Sequence, residues 1–347
     1  MALTGCPYTE GCETPAAPGP IAEEEGGGPI DGGPEEDAEE DADANVNLGP
    51  ILPNCMGLTT QCNGESCCAA ASVPGGAFNR LNNPAFPATV STFRLDKYEV
   101  TVGRFRSFVN AGKGTNKSPP ANGAGAHPLI PGSGWLPEFN MGLTDDRDAL
   151  IEAVKCDPDL YNVFTEVPGV NDTLPMNCLN WFEAVAFCIW DGGRLPTETE
   201  WNYAAAGGSE QRVAPYGGGD EILVDKTRVS FGCQSGTSVA DPGALPCTFK
   251  DYTAVGTHPM GVGRWGHHDL AGDVWERMFD YFVDPFRLPV CADCADLQKN
   301  PEGRAFRGGS INWGSDYQRT LDRTAVNSET VDARTNTVGF RCARATQ

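Results

Sequence analysis

Residues 180–201 read NWFEAVAFCIWDGGRLPTETEW and contain the starts of two helices. Each start has a capping residue followed three positions later by glutamate, a spacing that satisfies two free N–H groups reciprocally. The capping pairs are Asn180 with Glu183 and Thr197 with Glu200. The first segment also has an apolar face at helical spacing, formed by Phe182, Val185, Ala186 and Ile189. The sequence therefore predicts one helix after Asn180 and another from Thr197 to the glycine pair at 207–208.

Outside this stretch, helix signals are few and short β-type runs dominate. Thr101 can cap one further helix, because apolar residues follow it at helical spacing. The runs with strand character are Thr92–Val100, Val274–Phe282, Ala305–Ile311 and Val338–Arg344. With 42 Gly and 27 Pro in 347 residues, long loops must join these elements. The pattern predicts an α+β fold with little regular secondary structure.

Fourteen cysteines indicate structural disulfides formed in an oxidising compartment. Adjacent Cys67 and Cys68 are expected to bond to two different partners. Pairs that bracket loops are Cys233 with Cys247 and Cys156 with Cys178. Cys291 and Cys294 form the one C-x-x-C motif, and no second pair completes a zinc site. A local disulfide is expected there, and a two-thiol copper site is the alternative.

The net charge of −22 belongs mainly to the first 50 residues. Of 47 acidic side chains, 13 lie in residues 1–50, which contain no Lys or Arg; the other 297 residues carry 34 acidic and 25 basic side chains. Neither part has the basic surface that nucleic-acid binding requires. Residues 7–50 are predicted to be a disordered linker and solvated spacer, with cation or basic-partner binding as the alternative. A cysteine-rich segment at 51–72 and a globular domain at 73–347 follow.

The N-terminus suggests export. Leu3-Thr4-Gly5-Cys6 resembles the lipobox of bacterial lipoproteins, in which the cysteine is lipidated. Residues 1–6 are too short for a complete signal, so either the true start lies upstream or the match is accidental. We expect a lipoprotein anchored through Cys6, in the periplasm or on the cell surface. No apolar run approaches the roughly 20 residues of a membrane span, so only the lipid would contact the membrane.

Five ordered blocks resemble the formylglycine-generating enzyme, or sulfatase-modifying factor, family over about residues 73–347. The blocks are Phe93–Thr101, Asn180–Cys188 with Arg194–Trp201, Asp269–Glu276, Arg307–Ser310 and Val338–Cys342. The resemblance implies a divergent C-type-lectin-like fold. The family's activity is oxidation of a sulfatase cysteine to formylglycine, with O2 and Cu(I) held by two cysteines.

The copper-binding cysteines of that family are missing here. They lie three and eight residues after the serine of the Gly-Gly-Ser block, which from Ser310 gives Trp313 and Gln318. Neither side chain is a soft thiolate ligand of the kind that selects Cu(I), so copper is not expected and no catalytic residue is assigned. A second bridge of some members also lacks both ends, at Ala205 and Arg323. The resemblance does imply a disulfide between Cys188 and Cys342.

The resemblance also implies a structural calcium site. Asp269 and Glu276 would supply carboxylates, while Gly272 and Val274 would supply backbone carbonyls, a mixture of hard oxygens that suits Ca²⁺. The alternative is a turn with solvated acids before a buried strand. The family's usual asparagine in this block is Asp273, which adds a negative charge.

A pocket is expected at Ser310, Trp313, Gln318 and Arg319, with Trp313 filling the place of a catalytic cysteine. Arginines near it, Arg307, Arg319 and Arg323, can bind a carboxylate or an extended peptide, or pair with nearby aspartates. Trp181, Trp201 and Trp275 are predicted core residues, whereas Trp135 and Trp265 are candidates for a groove. The pair His267-His268 is expected to lie at a loop surface or to make local hydrogen bonds, and the four histidines lack the spacing of an iron site.

Two functions remain open from the sequence. The first is a calcium-stabilised binding module with a protein or peptide ligand and without dithiol copper chemistry. The alternative is a formylglycine-generating oxidase, or a related copper or iron oxidoreductase, that acts on a cysteine of a sulfatase-like substrate. A shared fold does not carry an activity whose reacting atoms are absent.

Overall fold

Short elements joined by long loops form the protein. The computed structural model describes residues 55, 58, 61–156, 162–217, 224–233, 247–312, 322–324 and 333–346. Within these ranges the helices are α1 (Val102–Asn110), α2 (Arg147–Ala153), α3 (Trp181–Trp190) and α4 (Glu198–Ala205). The strands are β1 (Gln61–Cys62), β2 (Glu65–Ser66), β3 (Ala70–Val73), β4 (Gly76–Asn79), β5 (Pro87–Val90), β6 (Phe93–Asp96), β7 (Trp275–Tyr281), β8 (Cys291–Ala292), β9 (Arg304–Arg307), β10 (Arg323–Thr324), β11 (Val338–Gly339) and β12 (Ala343–Ala345). The α+β prediction is confirmed.

The predicted caps start helices α1, α3 and α4. The Asn180 side chain accepts from the Glu183 N–H at 2.9 Å, and Glu183 accepts from the Asn180 N–H at 3.1 Å. Thr197 and Glu200 make the same reciprocal pair at 3.1 and 2.9 Å. The short helix α2, capped by Asp146, was not predicted. No helix of the described residues is both long and apolar enough to cross a membrane.

The strands of the described residues form four small sheets. Their strand orders are β1-β2, β10-β9-β7-β11, β12-β6-β3 and β4-β5-β8. The prediction of one strand at 338–344 is wrong, because this segment divides between two sheets. Its first part, β11, lies parallel to β7, and its last part, β12, lies antiparallel to β6. The C-terminal segment thus connects two sheets.

Aromatic side chains fill the main core between α1, α3 and the C-terminal segment. The Phe187 ring stacks on Phe105 with ring centroids 5.9 Å apart. It contacts the rings of Phe108 and Phe340 edge to face. The predicted core tryptophans 181, 201 and 275 are all buried. Trp135 is also fully buried, so its assignment to an open groove was wrong; its indole N–H is bonded to Asn140 at 2.9 Å.

A buried network of two arginines and two aspartates connects distant parts of the chain. Arg104 of α1 donates to Asp96 at 2.9 Å and to Asp191 at 2.8 Å. Arg344 of β12 bonds to the same two carboxylates. The four side chains balance in charge, which makes their burial tolerable. This network joins β6, α1, the end of α3 and the C-terminus.

All twelve cysteines of the described residues are in disulfides. The pairs are Cys55–Cys68, Cys62–Cys67, Cys156–Cys178, Cys188–Cys342, Cys233–Cys247 and Cys291–Cys294. Cys67 and Cys68 do bond to different partners, as their adjacency predicted. Strand β3 pairs with β6, so the end of the cysteine-rich segment is continuous with the sheet that follows it. Cys6 lies outside the described residues.

Candidate functional site

The predicted pocket serine lies just after strand β9. Gly308 and Gly309 have φ of +103° and +80°, a region open to glycine, and they turn the chain so that Ser310 is buried. A Cβ on Gly308 would stand 3.4 Å from the Trp201 ring, so the glycine also allows close packing on α4. The other predicted pocket residues, Trp313, Gln318 and Arg319, lie outside the described residues.

Arg307 at the end of β9 is committed to an ion pair. Its Nε lies 3.0 Å from the Glu198 carboxylate, and both side chains are almost fully buried. Its Nη1 also donates to the Asp322 carbonyl at 3.3 Å. Pairing with Glu198, which is distant in sequence, was not predicted; pairing with a nearby aspartate had been the alternative to binding a ligand. Arg307 therefore connects the end of β9 to α4.

The predicted calcium residues lie in a turn with unusual backbone angles. Asp269 and Asp273 both have φ of +55°, and Gly272 has +88°. These left-handed residues reverse the chain tightly before β7. Asp269 is nearly buried and one of its oxygens accepts from the Gly256 N–H at 2.6 Å. The turn brings backbone and carboxylate oxygens of residues 269–276 into one neighbourhood.

Glu276 already has a cationic partner. Its Oε2 accepts from Arg341 Nε at 2.7 Å and from the Trp201 indole at 3.0 Å. Its Oε1 is buried and has no hydrogen-bond partner in the part of the chain that the structure describes. Burial raises the pKa of Glu276, and Arg341 opposes that rise. The oxygen left to a metal ion is therefore Oε1.

Two further carboxyls are buried at this turn: Asp273, whose charge the sequence indicated, and Glu99, which the sequence reasoning missed. Glu99, from the block after β6, is fully buried, and among the described residues neither of its oxygens has a hydrogen-bond partner. Burial and the neighbouring charge of Asp273 raise its pKa well above the usual range. Asp273 is almost as buried, and its Oδ1 lacks a partner within the same ranges; burial, followed by the charge of Asp269, raises its pKa. An acid inside the apolar run at 92–100 was the available signal.

The carboxyls at the turn 269–276 fit a bound cation only if backbone carbonyls complete its ligands. The carboxyls of Glu99, Asp269 and Glu276 all interact electrostatically with Arg341, and Asp273 interacts with Glu99 and Asp269. Partnerless buried oxygens favour an additional positive charge. Within the described residues, however, the one group of three acidic, His or Cys ligand atoms within 4.8 Å is Asp96, Asp191 and Cys342, which ion pairs and a disulfide already occupy. A metal at the turn would thus need backbone carbonyls, as the resemblance implies for Gly272 and Val274.

Both histidines of the pair are buried, so the first part of that expectation, a loop surface, was wrong. His267 is fully buried, and burial lowers its pKa to about 3, so the ring is neutral. His268 stacks on Tyr98 with ring centroids 5.1 Å apart. Trp265 stacks similarly on Tyr203 at 5.6 Å. These rings pack the interior and its margin.

An open cleft lies on a different part of the molecule, over sheet β4-β5-β8. Its volume is about 460 Å³. The lining combines apolar and amide side chains, including Phe78, Asn79, Ala88, Gln211, Val290 and Cys291. Among the described residues, neither Ser310 nor the predicted calcium residues border it.

Comparison with known proteins gives a consistent family. The model of the family described as sulfatase-modifying factor enzyme 1-like domain matches residues 57–346. A formylglycine-generating enzyme of Thermomonospora curvata is 28% identical over 300 residues, covering 78% of this chain and 92% of that protein. The inactive C-alpha-formylglycine-generating enzyme 2 of Mus musculus is 27% identical, covering 79% and 85%. Among solved structures, PvdO from Pseudomonas aeruginosa aligns with a TM-score of 0.47 at 17% identity, covering 80% and 94%.

Proposed function

Since the chain belongs to the sulfatase-modifying factor enzyme 1-like family, we propose that it is a binding module of that family without dithiol copper chemistry. One observation carries the proposal: the positions of the family's catalytic cysteines are Trp313 and Gln318. Oxidation of a substrate thiol at Cu(I) needs two soft ligands, and indole and amide groups are not such ligands. The name of the mouse relative supports the same view, because it describes an inactive protein.

The proposed ligand is a protein or peptide. Family members that act on sulfatases receive an extended segment at this pocket, as the resemblance implies. The buried Arg307–Glu198 pair fixes the end of the strand that leads to Ser310, which supports a pocket at this place. Trp313 would add a large apolar contact where a thiolate stood.

The alternative is an oxidase that uses other ligands. Relatives named formylglycine-generating enzyme favour it, whereas the disulfide state of every described cysteine disfavours a thiol pair elsewhere. The test is oxidation of a cysteine-containing sulfatase-type peptide with Cu(I) and O2, followed by mass spectrometry. The Thermomonospora curvata enzyme serves as positive control, assayed in parallel with this protein as isolated and after mild reduction. We expect no aldehyde from this protein; copper-dependent turnover would refute the binding-module proposal.

We also propose structural calcium at the turn 269–276. Asp269 and Oε1 of Glu276 would supply charge, and the carbonyls of Gly272 and Val274 would complete the ligands. The excess of buried carboxyls over Arg341 supports this proposal, since calcium would balance charges that burial otherwise disfavours. Calcium would brace the segment that leads into β7, the middle of the four-stranded sheet.

Chelation of calcium is expected to lower the melting temperature, on the order of 5 °C if free calcium exceeded its Kd about 100-fold. The matched variant is Asp269→Asn, which keeps an acceptor for the Gly256 N–H and removes the charge. It should lose most of the chelator effect in differential scanning calorimetry. Asp148→Asn is the control, because that side chain is 90% exposed. Equal chelator sensitivity in Asp269→Asn and wild type would remove Asp269 from the site.

Export and anchoring complete the proposal. A lipid on Cys6, followed by the acidic segment to residue 50, would hold the domain away from a bacterial membrane on its oxidising side. The disulfides of the domain support a location on the oxidising side, because disulfides persist in oxidising compartments. Expressed with its native upstream region, the protein should leave the membrane fraction when Cys6 is replaced by serine; retention of Cys6→Ser would contradict the anchor.

A further inference from the structure

The disulfide Cys291–Cys294 differs from the others in its surroundings. It closes a loop of sequence separation 3 at the outer strand β8. Both sulfurs lie close to the Thr199 hydroxyl, at 3.6 Å for Cys291 and 3.9 Å for Cys294. Thr199 is the second residue of α4, so the sulfurs lie at the N-terminal turn of that helix.

This bridge contributes less to the stability of the fold than the bridges that close longer loops. A disulfide stabilises mainly by restricting the unfolded chain, and the effect falls as the loop shortens. The turn that contains it is fixed by other bonds. The Asp293 N–H donates to Thr89 O at 3.0 Å, and both Asp293 carboxylate oxygens accept from Ser91 at 2.7 Å. The sulfur–sulfur bond can therefore open while the loop keeps its place.

The same surroundings stabilise a thiolate. The N-terminus of a helix carries partial positive charge, which lowers the pKa of a nearby thiol. The Thr199 hydroxyl can donate to the ionised sulfur. Two glutamates in the first turn would oppose this, but each has a buried cation: Glu198 pairs with Arg307 at 3.0 Å and Glu200 with Arg194 at 2.6 Å. A third carboxyl, that of Asp280, accepts from the Glu198 N–H at 2.8 Å, and burial raises its pKa to about 7, which limits the negative charge that it places at this helix end.

The disulfide is also accessible from a surface that suits a peptide. Cys291 borders the 460 Å³ cleft, and Cys294 is half-buried at a shallow neighbouring depression. Next to them Val290 is 73% exposed and Leu288 44% exposed, an apolar margin on a surface otherwise rich in polar groups. Asp280 borders the same depression as Cys294, and burial raises its pKa to about 7, so a group that exchanges protons near neutrality is close by.

We propose that Cys291–Cys294 is a redox-active disulfide that oxidises a pair of thiols in a peptide or protein bound over the cleft of sheet β4-β5-β8. A substrate thiolate attacks Sγ of Cys294, the bond between the cysteines breaks, and Cys291 leaves as a thiolate beside Thr199. The second substrate thiolate then attacks the substrate sulfur of the mixed disulfide and displaces Cys294. The substrate loses two electrons and two protons and gains a disulfide, while Cys291 and Cys294 become thiols.

The first test follows each disulfide of the intact protein during timed reduction by dithiothreitol, with alkylation and peptide mass spectrometry. Cys291–Cys294 should be reduced at least about tenfold faster than two controls, with unchanged circular dichroism. Cys62–Cys67 is the short-loop control, with a separation of 5, and Cys55–Cys68 is the control for half-buried sulfurs. Reduction no faster than that of Cys55–Cys68 would overturn the proposal.

The second test uses a synthetic peptide with two cysteines. Wild-type protein should convert one peptide dithiol to its disulfide per Cys291–Cys294 bridge. Cys291→Ser should trap a mixed disulfide at Cys294 with an activated peptide, and Cys294→Ser should trap about tenfold less, because Cys291 is only 4% exposed. Equal trapping, or no peptide oxidation by wild type, would count against the proposal.

A third test uses variants of Thr199 to distinguish an effect on the rate of thiol exchange from an effect on folding. Thr199→Val keeps the shape and removes the hydroxyl, so exchange should slow about tenfold while the melting temperature changes little. Thr199→Ser should restore the rate. An unchanged rate in Thr199→Val would show that the hydroxyl does not stabilise the thiolate. These outcomes are independent of the binding-module proposal, which concerns the Ser310 pocket.

Discussion

Replacing Arg341 by methionine should destabilise the folded protein by about 3–5 kcal/mol. The guanidinium is fully buried and every nitrogen is used: Nε donates to Glu276 at 2.7 Å, Nη1 to the carbonyls of Asp96 and Lys97 at 3.1 Å, and Nη2 to His268 O at 2.9 Å. Methionine would leave Glu276 ionised without a cation, or protonated at a cost, and would remove a donor from three backbone carbonyls, of which that of Lys97 keeps the His268 N–H at 2.8 Å. Both effects act in the same direction.

The measurement is the denaturant midpoint at constant slope. Arg147→Met is the matched control, because its pair with Asp148 is solvent-exposed and should contribute less than about 1 kcal/mol. Arg341→Lys should recover only part of the loss, since an ammonium cannot reach a carboxylate and three carbonyls together. The double variant Arg341→Met with Glu276→Gln should be less destabilised than the sum of its parts. A midpoint for Arg341→Met equal to that of Arg147→Met would contradict the buried-charge argument.

Local signals made the helices predictable. A capping box is complete within four residues. The pairs Asn180 with Glu183 and Thr197 with Glu200 therefore predicted the starts of α3 and α4 without information from the rest of the fold. Cysteine spacing worked similarly where the loop was short. The missing copper ligands are also a matter of residue identity, because Trp313 and Gln318 are not thiols in any conformation.

Burial of charge depends on distant chain segments, and for that reason it was not predictable. The Glu198 partner of Arg307 comes from a position 109 residues earlier, and Asp96 meets Arg344 across 248 positions. The same limit applies to Glu99, because its carboxyl is buried next to the turn at 269–276, which is distant in sequence. His267 was expected at a surface because its glycine-rich surroundings resemble an exposed loop; tertiary packing decided otherwise.

Removing the Cys188–Cys342 bridge should have an effect of similar size, about 5 kcal/mol in the chain-entropy account. The bridge joins α3 to the C-terminal segment across a sequence separation of 154, so it restricts the unfolded chain far more than a local bridge does. The double variant Cys188→Ala with Cys342→Ala, studied by denaturant unfolding, measures this cost. The matched control removes Cys291 and Cys294 in the same way, with a separation of 3 and an expected cost of about 2 kcal/mol.

Equal losses in the two double variants would show that loop length is not the source of the stabilisation. A second consequence distinguishes a loosened unfolded state from a damaged native one. Cys342 directly follows Arg341, and its N–H donates to Asp96 at 3.3 Å. If the native C-terminal segment shifted when the bridge was lost, the Arg341→Met and bridge-removal losses would combine non-additively; if only the unfolded chain changed, they would add. Additivity within about 0.5 kcal/mol would therefore assign the stabilising effect of the bridge to the unfolded state.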